Sequence, residues 1–175
     1  MNKMVKKLLS LNQLEFGNGQ VHLEHFDVCE VVRSVLASSE ILFRQNDITL
    51  SFAEPDPVFV WADEYMTEEV VMNYVSNAIH HIGGERIIEV KVQSISSCAR
   101  ISVFNTGEKI PEDELEKIWN KFYKVDKART REYRGNGIGL SIVKAIMEAH
   151  NQRFGVKNYD NGVEFWFELD EKAEN

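Results

Sequence analysis

The chain has 175 residues, which is room for one domain and excludes a large multidomain enzyme. Its 43% hydrophobic residues can fill a sizeable core, whereas its net charge of −8 opposes a partner held through many phosphates, so nucleic acid is not expected. Cys29 and Cys98 form no metal or disulfide pattern, and the sequence shows no signal peptide and no membrane-length apolar run, which favours a cytoplasmic domain.

The chain opens with a short heptad pattern. Met1, Met4, Leu8 and Leu11 predict a helix that runs to about Glu15, before a glycine-rich break at 17–19. Two interpretations stay open. The helix is either the end of a longer bundle helix, which makes this chain a fragment, or a surface helix that packs on its own domain.

Two core helices and two short strands follow. Asp27 is placed to cap a helix whose apolar stripe runs from Val28 to Leu42. Alternating apolar residues predict strands near 48–52 and 58–60. Asp63 opens the second helix, whose stripe continues to Ile82 and ends at a glycine pair.

The second half predicts more strands and one long helix. Neighbouring strands are expected near 88–92 and 99–103, then a two-turn helix after Pro111, an aperiodic charged segment over 120–136 and a helix from Ile138 to His150. A hairpin turning at Asn161-Gly162 closes the chain. This order predicts an α+β fold, a two-layer α/β sandwich in which helices cover one face of a mixed sheet.

Two asparagines on the second core helix are candidate ligands. Asn73 and Asn77 stand four residues apart and so leave the helix on one face, beside its buried stripe. Half-buried amides need partners, which indicates a ligand, a metal or a capped loop. Hydrogen bonds to neighbouring backbone would also account for them.

A glycine-rich turn and a cationic segment point to phosphate. Residues 135–140, Gly-Asn-Gly-Ile-Gly-Leu, run directly into a helix, whose free N–H groups favour an anion. The preceding segment carries six basic and two acidic side chains, so its net charge is +4, whereas the net charge of the rest of the chain is −12. A lid over a polyphosphate, with Phe122 and Tyr123 as apolar anchors, fits this pattern. A plain solvated loop remains the alternative.

A third signal is Asn105-Thr106-Gly107, directly after a strand, where a short acceptor can face a flat ligand. Alone it could be a simple turn.

Together these motifs resemble the ATP-binding catalytic domain of sensor histidine kinases, in the GHKL superfamily of ATPases with its Bergerat fold. Residues 72–78 are similar to the N box, 103–107 to the first glycine box, 119–123 to the F box, 135–140 to the second glycine box and 162–167 to the closing strand. The resemblance covers about residues 1–170.

The resemblance implies roles for individual residues. Asn77 would ligate Mg²⁺ and Asn73 would support the metal and the triphosphate. Lys124, Arg129, Arg131 and Arg134 would be the cations that meet the phosphates, and Lys124 and Arg131 are assigned to catalysis together with the two amides. The implied nucleotide site also contains His80, His81, Asn105, Gly107, Ile110, Phe122, Tyr123, Gly135, Asn136, Gly137, Ile138, Gly139 and Leu140.

The chain departs from the family pattern at four positions. His80 replaces a phosphate-contacting Lys and His81 an aromatic residue at the adenine, so a weaker or pH-dependent contact is expected. Asn105 replaces the Asp that accepts a hydrogen bond from the adenine amino group. Relative to Asp, the free energy of ATP binding is expected to weaken by about 1 kcal/mol. Lys109 replaces a glycine.

The implied function is transfer of the γ-phosphoryl group of Mg·ATP to a histidine on a separate dimerisation and phosphoacceptor bundle, which would then pass it to the receiver domain of a response regulator. None of the five histidines has the phosphoacceptor context of the family, so the isolated chain is not expected to label itself. One alternative is an ATPase that hydrolyses ATP, disfavoured because Asn73 stands where such relatives have a Glu base. The other is a degenerate nucleotide-sensing or partner-binding module.

The resemblance also implies an organisation. Residues 1–18 would be the end of the bundle helix, 19–172 the ATP-binding domain and 173–175 a tail. The parent protein is expected to be a membrane-anchored homodimer, and this fragment a monomer.

Overall fold

A computed structural model of the chain describes residues 3–15, 17, 20–53, 56–123 and 137–173. The helices are α1 (Lys3–Glu15), α2 (Val28–Ser38), α3 (Glu40–Gln45), α4 (Glu64–His80) and α5 (Gly139–Ala149). The strands are β1 (Glu24–Asp27), β2 (Thr49–Phe52), β3 (Phe59–Ala62), β4 (Ile87–Ile95), β5 (Cys98–Thr106), β6 (Phe154–Tyr159) and β7 (Gly162–Asp170). Within these ranges, no helix is both long and apolar enough to cross a membrane.

The strands form one mixed sheet in the order β1-β3-β7-β5-β4-β2, with β6 paired to β7. β2 runs parallel to β4, and the other pairs are antiparallel. β5 and β7 pair along their whole length, from Cys98 opposite Asp170 to Thr106 opposite Gly162. The predicted mixed sheet and the hairpin at Asn161-Gly162 are confirmed.

Helix α4 is fixed over the sheet by a fully buried tyrosine. The ring of Tyr74 lies 5.4 Å from that of Phe165 and 5.9 Å from that of Phe167, both on β7. Its hydroxyl donates to the carbonyl of Trp166 at 3.0 Å, and burial raises the pKa of Tyr74 well above its usual value. Because α2 and α5 pack against α4, this contact sets the position of the helical layer.

Two local predictions are wrong. The first core helix ends at Ser38, because the hydroxyls of Ser38 and Ser39 both donate to the carbonyl of Val35, and a new helix starts at Glu40. The change of direction leaves Leu42 47% exposed and buries Phe43 instead. The helix predicted after Pro111 is a pair of 3₁₀ turns, at Glu112–Glu114 and Lys117–Trp119. Strand β1 was not anticipated.

Helix α1 packs on the domain that follows it. Leu11 is fully buried and α1 contacts α5. The Nζ atom of Lys121 lies 2.6 Å from Oε2 of Glu15, which joins the end of α1 to the segment after the second 3₁₀ turn. The predicted helix is confirmed, and its origin in a longer bundle helix remains a prediction.

Candidate functional site

Helix α4 carries the two candidate asparagines. The helix begins after Asp63, whose carboxylate accepts from the N–H of Met66 at 3.1 Å. Asn73 is 8% exposed, and its Nδ2 donates to the carbonyl of Glu69 at 2.7 Å. This is the neighbouring-backbone contact that the sequence left open as an alternative, and it occupies one end of the amide.

The other end of the Asn73 amide touches the glycine-rich motif. A β-carbon on Gly139 would lie 2.9 Å from Oδ1 of Asn73, so a larger residue there would force the Asn73 amide to shift. Gly139 is the first residue of α5, and the preceding Ile138 is fully buried and has no polar side chain to cap the helix. The structure therefore brings Asn73 to the helix N-terminus at which phosphate is expected.

Asn77 lies one turn further along α4 and is half-buried. Its backbone carbonyl accepts from the N–H of His81 at 3.1 Å. Its side chain forms no hydrogen bond with any residue that the structure describes, which makes its amide oxygen a candidate metal ligand. In the same part of the chain, no three His, Cys, Asp or Glu side chains converge to hold a metal.

The two histidines at the end of α4 behave differently. The Nδ1 atom of His80 lies 2.7 Å from the carbonyl of Ser76, which can only accept, so Nδ1 carries the proton. His81 keeps an exposed surface, yet desolvation by surrounding protein atoms and then the nearby His80 lower the pKa of His81. A neutral imidazole carries no positive charge to attract a phosphate, so His81 is better suited to contact the adenine ring.

Three hydrogen bonds join the end of α4 to the end of β5, and a fourth lies within β5. The N–H of Gly83 donates to the carbonyl of Thr106 at 2.9 Å, and the hydroxyl of Thr106 donates to the carbonyl of Gly83 at 2.7 Å. The Nδ2 atom of Asn105 donates to the carbonyls of Thr106 at 3.1 Å and His81 at 3.4 Å. The predicted N box and first glycine box thus form one connected unit.

Asn105 is 2% exposed, and its amide orientation follows from its neighbours. Both nearby atoms are carbonyl oxygens, so the atom that faces them must be the amide nitrogen. The sequence pointed only to the amide oxygen, as a substitute for a carboxylate acceptor. The structure adds a second task, which a carboxylate cannot perform.

Gly107 is required by backbone geometry. Its φ is +148°, and a β-carbon there would lie 2.6 Å from the carbonyl of His81. A cleft of about 320 Å³ adjoins it, lined by Gly84, Glu85, Thr106, Gly107, Glu108 and Asn161. Because Glu85 and Glu108 would repel phosphates, we do not assign this cleft to a triphosphate.

The loop after Gly107 is held by residues that the sequence did not reveal. The side chain of Asn158, on β6, bonds to both the N–H and the carbonyl of Ile110. Ile110 is half-buried and packs against the core. Asn158 is 48 residues from Ile110 in sequence, so no local pattern could have indicated this contact.

The predicted F box lies at the start of the cationic segment. The N–H of Phe122 donates to the carbonyl of Gly137 at 2.7 Å, and the φ of Phe122 is +62°. Tyr123 donates its hydroxyl to the carboxylate of Glu114. Leu140 packs against the core. The remaining predicted site residues, Lys124, Arg129, Arg131, Arg134, Gly135 and Asn136, lie outside the described residues.

The motifs and the sandwich fold define an ATP-binding domain of one family. The family model described as "Histidine kinase-, DNA gyrase B-, and HSP90-like ATPase" matches residues 62–173, and the chain belongs to this family. Among solved structures, the catalytic domain of histidine kinase ThkA is similar, with a TM-score of 0.76 and 31% identity over 86% of this chain and 96% of that one.

Longer relatives share the same region. Sensor protein kinase WalK of Staphylococcus epidermidis is 30% identical over 155 residues, 87% of this chain and 25% of WalK. The chain spans 25–37% of the length of the WalK relatives it matches. A complex of ThkA with the response regulator protein TrrA is also similar, with a TM-score of 0.75 and 26% identity over 97% of this chain and 48% of that one.

Proposed function

We propose that this chain is the ATP-binding catalytic domain of a sensor histidine kinase, which transfers the γ-phosphoryl group of Mg·ATP to a histidine on a separate bundle. The contact between Asn73 and Gly139 is the observation that carries the proposal. It places a helix with a metal-capable amide, Asn77, beside the N-terminus of α5. Phosphoryl transfer depends mainly on such positioning and charge stabilisation.

Mg²⁺ fits the donor set of this site. Mg²⁺ takes oxygen ligands and is commonly held by one or two protein groups together with substrate phosphates and water. The amide oxygen of Asn77 would be the protein ligand, with Asn73 supporting it from the preceding turn. Bound there, the ion would neutralise charge on the phosphates.

Transfer to a protein is favoured over hydrolysis. Hydrolysis in this superfamily relies on a carboxylate base, and the corresponding residue here is Asn73. An amide does not accept a proton from water, and the Nδ2 atom of Asn73 already donates to Glu69. In the proposed reaction, the bond from the γ-phosphorus to the bridging oxygen breaks, ADP leaves, and a bond forms from phosphorus to a ring nitrogen of the acceptor histidine.

The acceptor would belong to a dimerisation bundle of the parent protein, and the receiver domain of a response regulator would take the phosphoryl group next. The complex of ThkA with a response regulator protein supports the second partner by similarity. We further propose that the parent is a membrane-anchored homodimer with this domain in the cytoplasm. The cations proposed to meet the phosphates are Lys124, Arg129, Arg131 and Arg134.

Calorimetric titration with Mg·ADP tests the site. The chain should bind, and Asn77→Ala should abolish Mg²⁺-dependent binding while changing the free energy of unfolding by less than about 0.5 kcal/mol, because the side chain is half-buried and makes no described hydrogen bond. Glu68→Ala, an exposed position on the same helix, is the control and should bind as the parent does. Equal binding by Asn77→Ala would contradict the proposed metal site.

Phosphotransfer tests the reaction. With labelled ATP and a supplied histidine bundle, an acid-labile label should appear on the bundle and not on this chain. Binding of Mg·ADP without any transfer to the bundle would favour a nucleotide-sensing module instead.

A further inference from the structure

The side chain of Asn158 forms two hydrogen bonds with one backbone unit. Its Oδ1 accepts from the N–H of Ile110 at 3.1 Å, and its Nδ2 donates to the carbonyl of the same residue at 2.8 Å. The assignment is unambiguous, because the backbone N–H can only donate and the carbonyl can only accept. A carboxamide here supplies the pair of bonds that a neighbouring strand would supply.

The same hairpin holds the loop at a second point. The carbonyl of Asn161, in the turn between β6 and β7, accepts from the N–H of Gly107 at 3.0 Å. β7 pairs along its whole length with β5, from which the loop departs. Gly107 and Ile110 are therefore both held by this hairpin, through Asn161 and Asn158, two residues outside the recognised motifs.

We propose that Asn158 is a positioning residue of the nucleotide site, which fixes Ile110 and the loop 107–111 in the conformation that receives the nucleotide. This inference rests on the proposed function and adds to it a residue outside all the recognised motifs. Asn is suited to the task because it presents one donor and one acceptor side by side. Asp lacks the donor, and Leu, which is similar in shape, lacks both.

The substitution Asn158→Asp gives a discriminating test. At pH 8 the ionised carboxylate still accepts from Ile110 N–H but sets an oxygen against the Ile110 carbonyl, so the Kd for Mg·ADP should rise about five- to tenfold. The facing Ile110 carbonyl should raise the pKa of the new, half-buried carboxyl, and protonation supplies an O–H donor, so the ratio of variant to parent Kd should be smaller at pH 5 than at pH 8. Asn158→Leu should weaken binding at both pH values.

The control is Gln93→Glu, the same change of amide to carboxylate at an exposed position on β4. Its Kd ratio to the parent should stay near one at both pH values. A Gln93→Glu loss equal to that of Asn158→Asp would show a general charge effect and would overturn the inference.

Backbone amide exchange at Ile110, measured by NMR without nucleotide, gives a second readout: it should accelerate in Asn158→Leu, which loses the acceptor, and stay close to the parent in Asn158→Asp, which keeps it. If the parent binds Mg·ADP and Asn158→Asp binds it with the same Kd at pH 8, the inference about Asn158 is overturned while the proposed function stands. Absence of Mg·ADP binding by the folded parent overturns the proposed function, and the inference with it. If Asn158→Leu does not fold, the inference is tested by Asn158→Asp alone, through its Kd ratio to the parent at pH 8 and pH 5.

Discussion

The amide oxygen of Asn73 lies so close to the backbone of Gly139 that a β-carbon on Gly139 would be 2.9 Å from the oxygen. Asn73 cannot easily withdraw, because it is 8% exposed and its Nδ2 is bonded to the carbonyl of Glu69. The pair joins α4 to α5 across 66 positions of sequence. Packing and the candidate site therefore depend on the same contact.

Gly139→Ala should lower the free energy of unfolding by about 1–2 kcal/mol, because the new methyl group must displace the Asn73 amide. In an Asn73→Ala background the clash is gone, and Gly139→Ala should be neutral or stabilising by up to about 1 kcal/mol through better helix propensity. Urea denaturation of the four proteins in this cycle measures the coupling. An equal loss in both backgrounds would contradict the contact.

Asn105→Asp should destabilise the domain rather than improve it. The substitution removes the donor to the carbonyls of His81 and Thr106 and places a buried carboxylate against them, which should cost about 1–3 kcal/mol at pH 7.

The pH dependence of this variant has a definite sign. Burial beside carbonyl oxygens raises the pKa of the new carboxyl in the folded state, so the variant is closest to the parent at acidic pH and loses stability as the pH rises through that pKa. Thermal unfolding at pH 5 and pH 8 measures the difference. A variant more stable than the parent at pH 8 would contradict the donor role of Asn105.

His81 should make stability depend on pH in the opposite direction. Its pKa is lowered in the folded state, by desolvation and then by His80, so the unfolded chain binds the proton more readily. The contribution of His81 is complete above its unfolded pKa and is lost as the pH falls through the folded value.

Histidine NMR titration should therefore give His81 a pKa below that of a free histidine, and His80→Gln should raise it, since a like charge is removed. Urea unfolding at pH 7.5 and 5.5 should show a smaller loss of stability on acidification in His81→Gln than in the parent. An unchanged difference would contradict the assignment to His81.

Helix α1 offers a matched pair for testing its docking. Leu11 is fully buried and Leu9 is 49% exposed on the same helix. Leu11→Ala should cost about 2–5 kcal/mol, and Leu9→Ala under about 1 kcal/mol, because little apolar surface is at stake. Chemical denaturation measures both. Equal small effects would mean that α1 is not held on the domain in solution.

Elements with regular periodicity could be predicted from sequence. The caps at Asp27 and Asp63 and the stripe around Tyr74 are encoded within one or two helical turns, so local rules suffice. The helix break at Ser39 was not predicted, because the apolar stripe continues across it. The break is caused by the hydroxyls of Ser38 and Ser39, which both donate to the Val35 carbonyl.

The residues of the candidate site likewise fall into those that local sequence patterns indicate and those that depend on tertiary contacts. Motif residues such as Asn77 and Gly139 carry local signals, because amide spacing and a glycine-rich turn can be recognised without tertiary structure. The hydrogen-bond partners of Asn105 and Asn158 could not be predicted, because they depend on which backbone groups other elements bring to the side chain. A polar residue in a strand or turn reveals its chemistry but not its partner.

The hydrogen bond between Phe122 and Gly137 has a consequence for how this protein can vary. Fourteen residues, 123–136, separate the two in sequence, so this bond closes a loop through that stretch. Doubling the length of a flexible loop costs only about 0.6 kcal/mol of closure entropy. A longer stretch between Phe122 and Gly137 should therefore change the free energy of unfolding little as long as this bond is kept.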